Sequence, residues 1–293
     1  TAPVVTASSG KKSAQSVLDN DPATQWRSTR PGRQTIKLDL GSAREFGGLV
    51  VDFGDQYATD YEVQIQACNA EGRCSNRWTT VEHGAASAPG KAYHFLPECE
   101  ARALRLVFKS SAHASGHYSV RQITLQPLAF GSSQSRFLRH VARELPPGLN
   151  PRYFQDEQSL WTVIGVSGSK QEGLINEQGL LELGRGLPSI DAFVAIDDGA
   201  QSRLLTWHDG VHSQSLASGY LPVPQVERWH KAEQVSLTVA SCAHLIGPEQ
   251  YADSAIYARY TVKNHGSERR KGSLHLALRP LQVNPPWQFL NIP

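Results

Sequence analysis

Ser16-Val17-Leu18-Asp19-Asn20-Asp21-Pro22-Ala23-Thr24-Gln25-Trp26 is the most informative stretch of this chain. It places two carboxylates, an amide and a hydroxyl within six residues, between an apolar pair and a large aromatic ring. Pro22 fixes a bend, and Asp and Thr side chains form hydrogen bonds with nearby backbone. The stretch therefore predicts an oxygen-rich loop that Trp26 closes over apolar surface. Such a loop suits a hard cation such as calcium.

From Gln34 to Leu125 the apolar residues mostly alternate with polar ones. Alternation with period two predicts antiparallel strands with one face in solvent, and therefore a β-sandwich. The alternating groups are Ile36, Leu38, Leu40; Tyr61, Val63, Ile65; Leu104, Leu106, Phe108; and Ile123, Leu125.

These features together resemble a discoidin-type domain, the jelly-roll sandwich of coagulation factor type C domains and of family 32 carbohydrate-binding modules. The resemblance covers residues 1–128. Besides the opening loop it depends on Ala7-Ser8-Ser9, Ile36-Lys37-Leu38-Asp39-Leu40-Gly41, Gly48-Leu49-Val50-Val51, Tyr61-Glu62-Val63-Gln64, Trp78 and Ala103-Leu104-Arg105-Leu106.

The resemblance implies a structural calcium ion in the first loop. Its ligands would be the Asp19 carboxylate, the carbonyls of Ser16 and Asp21, and the hydroxyl and carbonyl of Thr24. Related domains add a glutamate near the last strand, where this chain has the neutral Gln122. The alternative is a loop held by Asp and Thr hydrogen bonds alone.

In this fold the ligand loops gather at one end of the sandwich. Sugars need an aromatic face and several polar donors and acceptors, and the loops at residues 27–33, 55–57 and 113–118 supply both. Trp26 and Trp78 are assigned to the core. Discoidin domains that bind phospholipid carry apolar loop tips, whereas these loops are polar, so a membrane partner is not expected. The predicted carbohydrate contacts are Arg30, Tyr57, His117 and Tyr118, although exposed Arg and Tyr are also ordinary surface residues.

Composition limits the range of partners. The 293 residues suggest two domains, and 29 Lys plus Arg against 27 Asp plus Glu give a net charge of +2. Both signs are interspersed, so no basic stripe offers itself to nucleic acid. No apolar run approaches the ~18 residues that span a bilayer.

Cys68 and Cys74 bracket a turn-prone insert, which predicts a disulfide and an oxidising location, either the periplasm or outside the cell. A metal site is the alternative, but the spacing suits zinc poorly. Cys99 and Cys242 are expected to be buried thiols.

Residues 129–150 predict a linker with a short helix. Phe137, Leu138 and Val141 have helical spacing, Ser132 and Ser133 can cap the start, and Pro146-Pro147-Gly148 ends the run. We expect a solvated connector.

Residues 151–293 again have strand patterning and carry no nucleotide-binding glycine loop. They resemble the β-sandwich that precedes an (α/α)6 catalytic barrel in glucoamylase-, glycogen-debranching- and cellobiose-phosphorylase-like enzymes. The resemblance implies that the catalytic residues belong to a barrel beyond Pro293. It depends on residues 161–166, 172–179, 219–224, 260–264 and 279–287.

Candidate catalytic carboxylates are expected to serve turns or solvent, because neighbours on a strand point to opposite faces. They are Asp156/Glu157, Glu177/Glu182, Asp191 and Asp197/Asp198. The histidine pairs His113/His117 and His208/His212 have four-residue spacing but lie in turn-like sequence, so we expect no metal site there.

The sequence therefore predicts an all-β protein, with two antiparallel β-sandwiches joined by a short helix. The predicted function is non-catalytic carbohydrate binding and support for a catalytic domain of the same protein, a glycoside hydrolase or phosphorylase. The alternatives are an adhesion or scaffold protein and a self-contained glycosidase.

Overall fold

The computed structural model describes residues 3–69, 71–155, 157–169, 171–184, 186–197, 199, 201–247, 253–280 and 282–283. The chain divides into two compact units, residues 1–141 and 142–293. Asp156, Asp198 and most of the predicted segment 279–287 beyond Pro280 lie outside the described residues.

Antiparallel pairing joins all strands of the first unit into one seven-stranded sheet. Its strands are β1 (Val4–Ala7), β2 (Trp26–Arg27), β3 (Gln34–Phe53), β4 (Ala58–Ala67), β5 (Thr79–Gly84), β6 (Gly90–Ser111) and β7 (Ser119–Gln126). They run in the order β2-β7-β3-β6-β4-β5, and β1 pairs with β3. A 3₁₀ helix, Lys11–Leu18, lies between β1 and β2.

Strand β3 changes partners along its length. Residues 34–39 pair with the second half of β6, and residues 36–39 also pair with β1; residues 48–53 pair with β7 and the first half of β6. The register shifts between these parts, where Gly41 has a φ of +78° that glycine adopts at little cost. Strand β3 therefore pairs with different neighbours in its two parts.

Trp26 anchors the core beneath the opening loop. Its side chain is fully buried, its ring stacks with Phe108 at a centroid distance of 5.9 Å, and its Nε1 donates to the Ser9 carbonyl at 3.0 Å. The core assignment of Trp26 is confirmed. Trp78 is half-buried and lies instead against the guanidinium of Arg105, 4.3 Å from the ring centroid.

The predicted helix is α1, Gln134–Glu144. Ser133 caps it by accepting a hydrogen bond from the Arg136 amide at 3.2 Å. The Phe137 ring contacts Phe130 and Phe95 at 5.3 and 5.6 Å. The start of the helix therefore packs on the first unit and is not a fully solvated connector. Two short 3₁₀ helices flank it, Leu128–Phe130 and Arg152–Gln155.

The second unit contains two antiparallel sheets. The first is β8 (Trp161–Ile164), β9 (Gly173–Asn176), β10 (Leu181–Glu182), β11 (Ser189–Asp197), β12 (Ser202–Leu205) and β17 (Lys271–Arg279). The second is β13 (Val211–Ala217), β14 (Leu221–His230), β15 (Val235–Ile246) and β16 (Asp253–Asn264). A 3₁₀ helix, Trp207–Asp209, precedes β13.

Both sheets of the second unit contribute to one apolar core. Ile175, Leu181 and Val194 come from the first sheet and pack with Leu237 and Val239 from the second. The all-β prediction of two antiparallel sandwiches joined by a short helix is therefore confirmed.

A disulfide joins Cys68 to Cys74. Among the described residues, Cys99, which is buried, and Cys242, which is half-buried, form no disulfide. Among the described helices, none is long and apolar enough to cross a membrane.

Candidate functional site

The three loops predicted to carry ligand contacts converge at one end of the first sandwich. The central loop, residues 112–119, is hydrogen-bonded to both others. Ser28 donates its amide to the Tyr118 carbonyl at 2.9 Å, and the Tyr118 amide donates to Ser28 Oγ at 3.0 Å. The Gly32 amide donates to the Gly116 carbonyl at 3.1 Å. The loop at residues 27–33 is therefore fixed to the central loop.

The loop at residues 54–57 is fixed on the other side. The Ala112 amide donates to the Tyr57 carbonyl at 3.0 Å, and the Ser119 amide donates to the Gln56 carbonyl at 2.9 Å. Ser119 Oγ in turn accepts from the Gln56 amide at 3.0 Å. We call these three loops, residues 27–33, 54–57 and 112–119, the loop face.

Arg30 is exposed and oriented by the loop next to it. Its Nη2 donates to the Ser8 carbonyl at 2.9 Å, which leaves the other guanidinium nitrogens available as donors. Ser8 and Ser9 are held by Gln34, whose Oε1 accepts from their hydroxyls at 2.7 and 2.6 Å. The guanidinium is therefore supported by a network that reaches into the core.

Tyr57 and His117 are both half-buried. Tyr57 packs against the apolar core. Nδ1 of His117 lies 3.0 Å from the Ser115 carbonyl oxygen. Since a carbonyl only accepts, Nδ1 carries the proton, and Nε2 of the neutral ring is an acceptor.

Tyr118 lies in the core. Its side chain is 1% exposed, and its ring stacks on Phe108 at 5.1 Å. It directly precedes β7 and follows the inward alternation that places Val120 in the core. A ring buried in this way has no face for a ligand, so Tyr118 supports the loop face from below. Burial raises the pKa of its phenol.

The opening loop gathers oxygen atoms. Thr24 Oγ1 donates to Asp19 Oδ2 at 2.7 Å and also lies 3.2 Å from the Asp21 carbonyl. The amide of Asp21 donates to Asp19 Oδ1, and this hydrogen bond is the main reason that the pKa of Asp19 is lowered. The side-chain amide of Gln122 exchanges two hydrogen bonds with Asn20, both at 3.2 Å.

Carboxylate, hydroxyl and carbonyl oxygens are ligands that calcium takes, and Thr24 Oγ1 lies within hydrogen-bond distance of both Asp19 Oδ2 and the Asp21 carbonyl. In the described part of the chain, no three His, Cys, Asp or Glu side chains are grouped for a metal. A site here would rely on one carboxylate with hydroxyl and carbonyl oxygens.

The side chains that hold the loops together are not among the residues predicted from the sequence. Ser9, Ser28, Gln34 and Ser119 are all buried at 6% exposure or less. Their partners lie up to 90 residues away in the chain. Ser9, Ser28 and Ser119 could have been noticed as hydroxyl residues close to the ends of predicted strands. Such residues are also common in ordinary turns, so the pattern does not identify them.

Residues 2–123 match the family model of the F5/8 type C domain. These residues form an F5/8 type C domain. The loop face is thus one end of the F5/8 type C sandwich, and the opening loop lies within the matched range.

Three solved structures similar to the chain are carbohydrate-binding modules. One is chitosan-binding module 2 of a chitosanase/glucanase from Paenibacillus sp. IK-5 in complex with chitotriose, with 26% identity over 42% of this chain and 95% of the module, and a TM-score of 0.36. Another, from Clostridium perfringens in complex with GalNAc-β-1,3-galactose, has 17% identity over 42% and 94%, and a TM-score of 0.37. The third, the family 32 module of C. perfringens NanJ with galactose, has 18% identity over 42% and 92%, and a TM-score of 0.36. No curated protein matches the sequence.

Two candidate carboxylates of the second unit are buried on one face of a sheet. Glu182 pairs with Ser189, and Asp191 follows two residues later on the same face. Glu182 is 4% exposed and accepts from the Val283 amide at 2.6 Å. Asp191 is 2% exposed, and its Oδ2 lies 3.5 Å from Arg279 Nη1. Both side chains are buried and inaccessible to a substrate, which favours a structural role for Glu182 and Asp191.

The other candidates have ordinary partners. Glu177 accepts from the Leu160 amide at 2.7 Å, and Asp197 lies 3.6 Å from Lys271. His208 belongs to a 3₁₀ turn that Thr206 caps. Burial lowers the pKa of His212 to about 4.

Glu182 makes the stability of the second unit depend on pH. Burial raises its pKa from 4.5 to about 7, opposed in part by the hydrogen bond from Val283. Because the folded-state pKa is the higher one, the stabilisation is complete below pH 4.5 and is lost as the pH rises towards 7. The loss is about 3 kcal/mol.

Glu182→Gln keeps the acceptor oxygen and removes the charge. We expect urea midpoints of the variant to exceed those of the parent at pH 8 and to converge with them near pH 4. The matched control is Glu227→Gln on β14, which is expected to follow the parent. A Glu182→Gln profile that parallels the parent at all pH values would contradict this account.

Proposed function

We propose that the F5/8 type C domain binds glycans through the loop face, without catalysis. The observation that carries the proposal is two sets of hydrogen bonds, which join residues 112–119 to the loops at residues 27–33 and 54–57. These bonds hold the three loops that bear Arg30, Tyr57 and His117. A guanidinium donates to sugar hydroxyls, the Nε2 atom of His117 accepts from one, and a tyrosine ring packs on the apolar face of a sugar. Preorganised loops lower the entropy that a ligand must remove on binding.

Glycan-array screening of the full chain, followed by calorimetric titration of any glycan that binds, tests this proposal. Arg30→Ala should weaken the Kd about 10- to 100-fold, since it removes charge-assisted hydrogen bonds. Tyr57→Ala should weaken it about 2- to 10-fold through loss of ring packing. His117→Ala should have an effect between these two.

Arg102→Ala and His83→Ala are the matched controls, because both residues are exposed on strands outside the loop face. They should leave the Kd unchanged. Absence of binding to any glycan by folded protein, or equal effects of the control and loop-face variants, would reject the proposal in favour of an adhesion or scaffold role.

We also propose that the opening loop binds a structural calcium ion. Asp19, Thr24 and the carbonyls of Ser16, Asp21 and Thr24 would hold it, and the ion would stiffen the loop that Trp26 closes. Gln122 adds no charge, so the expected affinity is low.

Melting temperatures with calcium and with a chelator test the calcium proposal. Calcium should raise the Tm of the parent and not that of Asp19→Asn, which loses the only carboxylate ligand. Asp21→Asn keeps the carbonyl and should respond as the parent does, and Gln122→Glu should respond at lower calcium concentration. If calcium changes the Tm of neither the parent nor any variant, the calcium proposal is rejected. Hydrogen bonds alone would then hold the loop.

We propose further that the second unit supports a catalytic domain of the same protein, of the glycoside hydrolase or phosphorylase kind. Leu274, Leu276 and Leu278 of β17 are 40%, 45% and 67% exposed. Leu274 and Leu276 pair with Val194 and Ala192, which are core residues, so the leucines continue the core-side face of the sheet. An apolar row of this kind favours a covering polypeptide.

The reading frame beyond Pro293 tests this part of the proposal. Several hundred residues with helical periodicity and acidic residues would support it. A frame that ends there would contradict it. The Cys68–Cys74 disulfide supports a periplasmic or extracellular location for the protein.

A further inference from the structure

A cavity of about 240 Å³ lies between the two sheets of the second unit. Its walls come from β8 and β9 of one sheet and from β13 and β14 of the other. Among the described strands, β8 and β13 are each the last of their sheet. The cavity therefore opens along edge strands, whose outward backbone groups can bind a ligand.

The inner part of the cavity is apolar and fixed. Ile175 and Val226 are 1% and 3% exposed and belong to the core between the sheets. Asn176 lies beside them, and its Oδ1 accepts from the amides of Gln178 and Leu180 at 3.0 and 2.9 Å. These bonds hold the turn after β9, so this wall exists before any ligand arrives.

The outer part of the cavity is polar and uncharged. Thr162 and Gln214 lie opposite the core residues Ile175 and Val226, so their side chains are on the core side, and neither makes a hydrogen bond within the described part of the chain. Ser215 and Gln225 alternate with these core-side positions and line the cavity with their backbone. One side-chain amide and one hydroxyl can donate and accept. No charged side chain is among the lining residues. An ionic ligand would lose its hydration without gaining a counter-charge.

We propose that this cavity is a second ligand site, which binds a small neutral polyhydroxylated molecule, most simply one sugar residue. Its volume equals the share of roughly eight water molecules, below that of pockets for drug-sized ligands. The apolar wall suits the C–H face of a sugar ring, and the Gln214 amide, the Thr162 hydroxyl and the strand backbone suit its hydroxyl groups. An extended peptide of several residues does not fit this volume. The site does not depend on the loop face.

The test uses the full chain carrying Arg30→Ala and Tyr57→Ala, so that the loop face does not contribute. Saturation-transfer NMR and calorimetry are run with glucose, galactose, mannose, N-acetylglucosamine and glucuronate. We expect saturable binding of at least one neutral sugar and none of glucuronate. Gln214→Ala should weaken the Kd about tenfold, since one hydrogen-bonding group is lost. Thr162→Trp should abolish binding by filling the entrance.

Ser213→Ala is the matched control, because Ser213 is exposed on β13 and does not line the cavity. It should bind as its background does. The inference is overturned if no neutral sugar binds, if glucuronate or an extended peptide binds instead, or if Gln214→Ala and Thr162→Trp leave the Kd unchanged. Failure of the loop-face proposal would not alter these outcomes.

Discussion

Hydrogen bonds made by residues 112–119 are the constraint on which the geometry of the first unit depends. This loop donates to and accepts from the loops on both sides, through Ser28 and Gly32 in one direction and through Gln56 and Tyr57 in the other. Each bond contributes about 1 kcal/mol net. Their larger effect is to fix the three loops relative to one another, so that the loops form one surface. Without them, Arg30, Tyr57 and His117 would belong to three independent loops.

The aromatic core below this surface makes the constraint possible. Trp26, Phe108 and Tyr118 stack in succession, with centroid distances of 5.9 and 5.1 Å. Trp26 begins β2 at the end of the oxygen-rich opening loop, and Tyr118 directly precedes β7, the strand that pairs with β2. The opening loop and the loop face are therefore supported by the same stack. A change in either should be transmitted through side chains that have little room to move.

Period-two alternation was enough to predict the strands, because in a half-buried antiparallel sheet the side-chain direction follows directly from position. Helix α1 was predictable from the spacing of Phe137 and Val141 and from the cap at Ser133. Its packing on Phe130 and Phe95 was not, because that contact depends on tertiary structure. The same limit applies to the site. Loop membership was predictable for Arg30 and His117, but Tyr118 differs from His117 by one position and faces the opposite way. The hydrogen bonds of Ser28 and Ser119 join residues that are 63 to 90 positions apart. A local sequence pattern cannot predict contacts over such separations.

Amide hydrogen exchange of the full chain, with and without a bound oligosaccharide, tests most directly whether the three loops act as one ligand surface. We expect joint protection of residues 28–33, 55–57 and 112–118 on binding. An oligosaccharide too large for the cavity of the second unit should change little in the strands of that unit. Protection confined to a single loop, or located away from all three, would contradict this expectation.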